Sequence, residues 1–168
     1  MHTPTRRQFL AASGAAAVTG AAGLSGARAQ QAPKLKPLRI GVVTPAMTGL
    51  AAVRTSVTDY PGEAVRQGAI LAESKIGELA EAKGWHLELA HANTPSIEAA
   101  KRAGERLVTN GKVAALIGAV GEGQAEVLTA IAAKAKIPFF NVGNTRDALR
   151  QKDCNRYTFH IEASAAMY

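Results

Sequence analysis

Cysteine is almost missing from this sequence: Cys154 stands alone among 168 residues. A disulfide framework closed within the chain is therefore excluded, and so is a cysteine-rich zinc site. Histidine is scarce too. His2, His86, His91 and His160 show no paired ligand spacing, so no metal centre is expected, and His86 and His91 read as ordinary strand and loop residues. Aromatic residues make up only 5% of the chain, and its Lys and Arg are interspersed with Glu rather than gathered into a stripe. Without a basic track and aromatic platforms, a nucleic-acid partner is not expected. No Ser/His/Asp or Cys/His arrangement is evident. The glycines at 118, 121 and 123 spell G-x-x-G-x-G after a third strand, not the G-x-G-x-x-G that follows a first strand in dinucleotide enzymes. Catalytic residues and cofactors are accordingly not expected.

What is present begins at the N-terminus. Arg6-Arg7 stands directly before Phe9-Leu10, after which no charge occurs until Arg28. Ala27-Arg28-Ala29 then supplies small residues around a cleavage point. A basic start, a weakly apolar Ala/Gly-rich middle and a small-x-small end resemble a twin-arginine export signal over residues 1–29. Cleavage after Ala29 would leave 139 residues outside the cytoplasm, expected in the periplasm, enough for one domain with a core. Three of the twenty Lys and Arg, and none of the thirteen acids, lie in that signal. The net charge of +7 thus falls to +4 in the remainder.

Residues 30–37 read as a linker with two prolines. Beyond it, strand and helix patterns alternate. Leu38–Thr44 is a β-branched strand, followed by a loop over 45–60. From Pro61 the period predicts a helix with Val65, Ala69, Ala72, Ile76 and Leu79 inward and Gly84 at its end. Trp85–Ala90 alternates as a half-buried strand. Thr94-Pro95 is the expected cap of a second helix burying Ile97, Ala100, Gly104, Leu107 and Val108, with Glu98 and Arg102 paired on its surface. Asn110-Gly111 stops it. Val113–Ile117 reads as a strand buried on both faces. The turn 118–123 leads into a third helix with Leu128, Ile131, Ala132 and Ala135 inward. Ile137–Asn141 and Tyr157–Ile161 are the last strands, with one helical turn near Ala148 between them. Right-handed crossovers make this an α/β, doubly wound parallel sheet with Rossmann- or flavodoxin-like strand order. Ligands bind such sheets at the carboxyl ends of the strands. Those ends carry the polar, glycine-rich segments 45–60, 118–123 and 141–146.

Five segments in this order carry a family resemblance: Ile40–Gly49, Gly68–Ala72, Ala115–Gly118, Ile137–Thr145 and Tyr157–His160. Together they resemble the type I periplasmic binding proteins of branched-chain amino-acid ABC transporters, the leucine/isoleucine/valine-binding group. The resemblance implies that residues 38–168 form the N-terminal lobe of a two-lobed protein. That protein would capture an amino acid or similar small polar solute and hand it to an ABC transporter permease in the inner membrane. It further implies ligand contacts at Thr48, Gly49, Gly121, Glu122, Gly123, Gly143, Asn144 and Thr145. Glu122 appears in place of the family's usual Ser, where a carboxylate favours a cation or a polyol over an acid; capping of the following helix is its alternative role. Thr145 has a parallel alternative, as cap of the turn 146–149. Cys154 is a buried small residue, a free thiol, or half of a disulfide whose partner the second lobe would hold. The competing classes are an exported cofactor-dependent enzyme subunit and the ligand-sensing domain of a receptor.

Overall fold

The computed structural model describes residues 34–45 and 59–168. The export signal read over 1–29, and Thr48 and Gly49, lie outside the described residues. Five strands and three helices alternate: β1 (Lys36–Thr44), α1 (Asp59–Ala82), β2 (Trp85–Asn93), α2 (Ile97–Thr109), β3 (Ala115–Gly118), α3 (Gln124–Ala135), β4 (Phe139–Asn141) and β5 (Thr158–His160). All strand pairs are parallel, in the order β2-β1-β3-β4-β5. This is the flavodoxin-like order. The chain leaves β1 toward one side and β3 toward the other, so a crevice opens between their carboxyl ends.

The core lies between the sheet and the α2/α3 layer. Leu107 and Leu128 meet Leu116, Phe139 and Val43, all buried. Gly41 and Gly104 let these layers approach, since a Cβ on Gly41 would stand 2.8 Å from Leu116 and one on Gly104 2.9 Å from Leu128. Burying a Leu or Phe here contributes about 2 kcal/mol each. The described residues belong to one compact unit.

Several local expectations are corrected. β1 begins at Lys36, inside the presumed linker, because the Lys36 amide donates to the Gly84 carbonyl at 2.9 Å. Thr94 does not cap α2. Its amide still donates to the Thr44 carbonyl at 3.0 Å, which holds it on the sheet, and Ser96 caps instead, its hydroxyl accepting from the Ala99 amide at 3.2 Å. Moving the start turns Ile97 outward, 43% exposed, while Ala103 joins the buried face. Glu98 and Arg102 form no ion pair; the pairs among described residues are Arg39–Glu88, Arg66–Glu63, Arg146–Glu126 and His86–Glu81. Ile76 and Leu79, expected inward on α1, are 50% and 67% exposed. Ile117 is only partly buried, so β3 is not covered on both faces as expected.

Candidate functional site

The carboxyl ends of the strands are tied together by backbone and amide contacts. The Val142 amide donates to the Gly118 carbonyl at 3.0 Å, joining the turn after β4 to the end of β3. Gly143 sits against Val120 so closely that a Cβ would stand 2.9 Å from its Cα. The Gln124 side chain, at the first turn of α3, donates to the Thr94 carbonyl at 2.7 Å and so joins the helix to the end of β2. A Cβ on Gly118 would lie 2.0 Å from the Val43 carbonyl oxygen, and its φ of 153° is open mainly to glycine. Ala119 follows at φ 72°, in the left-handed region that non-glycine residues rarely occupy.

Asn141 organises the second turn. Fully buried, it accepts from the amides of Gly143 (3.3 Å) and Asn144 (2.9 Å) through Oδ1. Its Nδ2 donates to the Asn144 carbonyl at 2.8 Å and faces His160 Nδ1 at 3.0 Å. An amide donor at Nδ1 makes that nitrogen the acceptor, so the proton sits on Nε2, which donates to the Leu149 carbonyl at 3.3 Å. Burial first, and the Arg150 charge second, hold the His160 pKa below its ordinary value. The imidazole is thus a neutral strut beneath the turn.

Each expected site residue has a definite place. Gly121, Glu122 and Gly123 form the turn before α3. Gly123 is its N-cap in the left-handed conformation, with no side-chain cap bond, so Glu122 does not cap the helix; it is exposed. Gly121 is buried against the Gln124 side chain. Gly143, Asn144 and Thr145 form the turn after β4. The Asn144 side chain is committed, accepting from the Arg146 amide at 3.0 Å. Thr145 does not cap the 3-10 turn Asp147–Arg150, whose N-cap is Arg146, and its hydroxyl makes no hydrogen bond among the described residues. Arg146 pairs with Glu126 of α3 at 2.7 Å, closing the two turns on each other. Cys154 is exposed and free, so the buried reading is withdrawn.

Sequence reasoning missed the inner polar layer: Asn141, His160, Gln124 and Thr94. Two of these groups are unspent. Thr94 Oγ1 and Gln124 Oε1 are buried with no hydrogen-bond partner among the described residues, beside a helix N-terminus whose first amides have no intrahelical acceptor. The signal that could have exposed them is position: all four follow or close a strand at its carboxyl end. Among the described residues no group of His, Cys, Asp and Glu could hold a metal ion, and no helix is long and apolar enough to cross a membrane.

A parallel sheet that brings backbone amides and a helix N-terminus together at its switch point places its candidate ligand crevice at the strand carboxyl ends. Residues 37–168 match the family model described as periplasmic binding protein, and the chain belongs to that family. Among solved structures, it is similar to the leucine-binding protein LivK of Thermotoga maritima (23% identity, TM-score 0.64, 77% of this chain and 34% of that one). It is also similar to the branched-chain amino-acid transporter substrate-binding protein LivJ of Streptococcus pneumoniae, solved with isoleucine (26%, TM-score 0.60, 77% and 34%). A third likeness is to a Rhodopseudomonas palustris solute-binding protein in complex with 4-hydroxybenzoate (16%, TM-score 0.58, 77% and 32%). No curated protein matches. The chain spans about a third of the length of these structures.

Proposed function

We propose that this chain is the N-terminal lobe of an ABC importer's solute-binding component. It acts in the periplasm after export on the 1–29 signal, and delivers an amino acid or similar small polar solute to an inner-membrane permease. The observation that carries this reading is the α3 N-terminus, set between the 118–123 and 141–145 turns, with the buried Thr94 hydroxyl and Gln124 carbonyl oxygen still unpartnered. Backbone amides at a helix start suit an anionic group such as a carboxylate. The Thr145 hydroxyl and the amides of Gly121, Glu122 and Gly123 supply further contacts, Gly143 and the Asn144 side chain shape their turn, and Thr48-Gly49 adds the loop after β1. The exposed Glu122 carboxylate favours a solute that also carries a cationic or hydroxyl-rich end. Family membership and the isoleucine-bound relative support amino-acid chemistry.

Amide-resolved NMR titration of the exported chain tests this. Leucine, isoleucine, lysine and 4-hydroxybenzoate would each be added to on the order of 10 mM, which detects the weak binding expected of one lobe. Shifts confined to residues 118–125 and 142–146 are the expected result. No shift with any of the four, or shifts centred elsewhere, would overturn the reading.

A further inference from the structure

Asn141 and His160 are register partners on β4 and β5, and the polarity of their contact is set from the Asn141 side. Asn141 Oδ1 accepts from two backbone amides while Nδ2 donates to the Asn144 carbonyl. Turning the side-chain amide over would set donor against donor at both amides and acceptor against acceptor at the carbonyl. His160 Nδ1 therefore has to accept. A proton placed on it would face the Nδ2 hydrogens across 3.0 Å, and one of the two groups would have to withdraw. The ring is held from behind, because Nε2 donates to the carbonyl of the buried Leu149. Asn141 is the group that gives way, and the turn goes with it.

The charges around the ring do not offset such a proton. The 3-10 turn 147–150 brings up Arg150, a like charge, whose guanidinium donates to the Glu162 carbonyl. Asp147, at the start of that turn, and Glu162, two residues along the chain, make no bond to the ring among the described residues. The Glu162 carboxylate is engaged by the Ala163 amide and the Tyr168 hydroxyl. Towards β5, α3 presents the neutral Thr129, and its Glu126 is paired with Arg146. Burial and Arg150 both favour the neutral imidazole, so the bonded state is the one present at neutral pH.

The turn above this pair is fastened at two points. Asn141 holds Gly143 and Asn144, and the Thr145 carbonyl accepts from the Ala165 amide at 2.8 Å. We infer that His160 is the positioning residue of the turn 142–145, and that a proton on its Nδ1 releases the first fastening, so that acid weakens the hold on a solute at Thr145. The solute part rests on the turn belonging to the binding site, as proposed above. Linkage makes the effect reciprocal: a solute that needs the closed turn makes the ring harder to protonate. The apparent dissociation constant rises as the inverse of the neutral fraction, up to about tenfold for each pH unit below the ring's pKa.

NMR of the exported chain between pH 7.5 and 4.5 tests this. Ring nitrogen shifts report the His160 tautomer and its titration. Amide exchange, corrected for its intrinsic pH dependence, reports the turn. Protection of the Gly143 and Asn144 amides should fall about tenfold or more at the ring's own midpoint, while the strand amides of Leu116 and Phe139 stay protected. Shifts induced at Thr145 by leucine, isoleucine, lysine or 4-hydroxybenzoate should fade at the same midpoint. His160→Asn, whose Oδ1 takes the place of Nδ1 as acceptor, should keep the turn closed at both ends of the range. His160→Phe, which keeps a ring without an acceptor, should loosen it even at pH 7.5. A turn that stays protected through the ring's titration would overturn the inference. So would a proton on Nδ1 at pH 7.5, a ring that stays neutral until the chain unfolds, or a Phe variant with a wild-type turn. If none of the four solutes shifts the turn at pH 7.5, the solute reading fails, and amide exchange still decides the role of His160.

Discussion

Asn141→Ala should unfasten the turn that carries Gly143, Asn144 and Thr145. The substitution removes four contacts: two amides donating to Oδ1, and the Nδ2 donations to the Asn144 carbonyl and His160. The one at 3.3 Å is long and counts for little. The other three contribute about 1 kcal/mol each, and Asn144 and His160 retain partly buried groups without partners, so the expected loss is about 3 kcal/mol. For a unit of this size that lowers the melting temperature by about 10 °C. Urea unfolding gives the free energy, and hydrogen exchange should show the 143 and 144 amides losing protection before the β3 amides do. A loss under about 1 kcal/mol, or loosening that starts elsewhere, would refute the claim that Asn141 anchors the turn. Asn141→Asp sharpens the test. It keeps Oδ1 as acceptor but sets a carboxylate beside His160, which raises the imidazole pKa. The stabilisation from that pair is complete below the unfolded His value and is lost as pH rises through the raised folded one.

The wild-type chain should show the reverse pH trend. His160 and His91 both have pKa values held down, first by burial, so the folded state binds fewer protons than the unfolded one. Stability is then complete above the unfolded His value near 6.5 and falls as pH drops toward the depressed folded values; denaturant melts from pH 7.5 to 5 should show this, with His160→Gln flattening part of the slope. Gly143→Ala places a Cβ 2.9 Å from Val120 Cα, so thermal melts should record a loss of about 1 to 3 kcal/mol and NMR a parting of the two turns. Thr94→Val removes a buried hydroxyl without a partner, so stability should change by less than about 1 kcal/mol or rise, while solute-induced NMR shifts weaken. Cys154 should react fully with maleimide under native conditions without unfolding, as mass spectrometry would show.

The alternation of strands and helices was legible because its signals are local. Period-two and period-3.6 patterns, Gly84 after α1 and Asn110-Gly111 after α2 each mark a boundary within a few residues. The errors came where a distant group won. Ser96 and Thr94-Pro95 are both good caps in sequence. Only the Thr44 carbonyl across the sheet, and the Gln124 side chain thirty residues away, decide that Thr94 stays with β2. The inward reading of Ile76 and Leu79 has a different origin. Helical spacing marks a face of α1, but nothing local says whether another element covers it, and here both side chains are exposed.

The site divides along the same line. Glycine-rich turns at strand ends announce themselves, because a glycine at Gly118 or Gly123 is required by backbone conformation and by close approach. What those turns present depends on the layer below them, and that layer is built from residues of ordinary appearance. Asn141 reads as the last residue of a strand, His160 as a strand polar residue, and Gln124 as a helix surface residue. Asn141 and Gln124 are buried and His160 is half-buried, because the strands end at nearly one level, which brings Thr94, Gln124, Asn141 and His160 within reach of the turns. This changes which positions test the binding proposal. Asn144 spends its side chain holding Arg146 and its backbone on Asn141, so its substitution would disturb the turn before it disturbed a solute. Thr145 and Thr94, whose hydroxyls have no partner, can be altered with the scaffold intact. A fall in solute binding there without a fall in stability is the outcome that separates recognition from support.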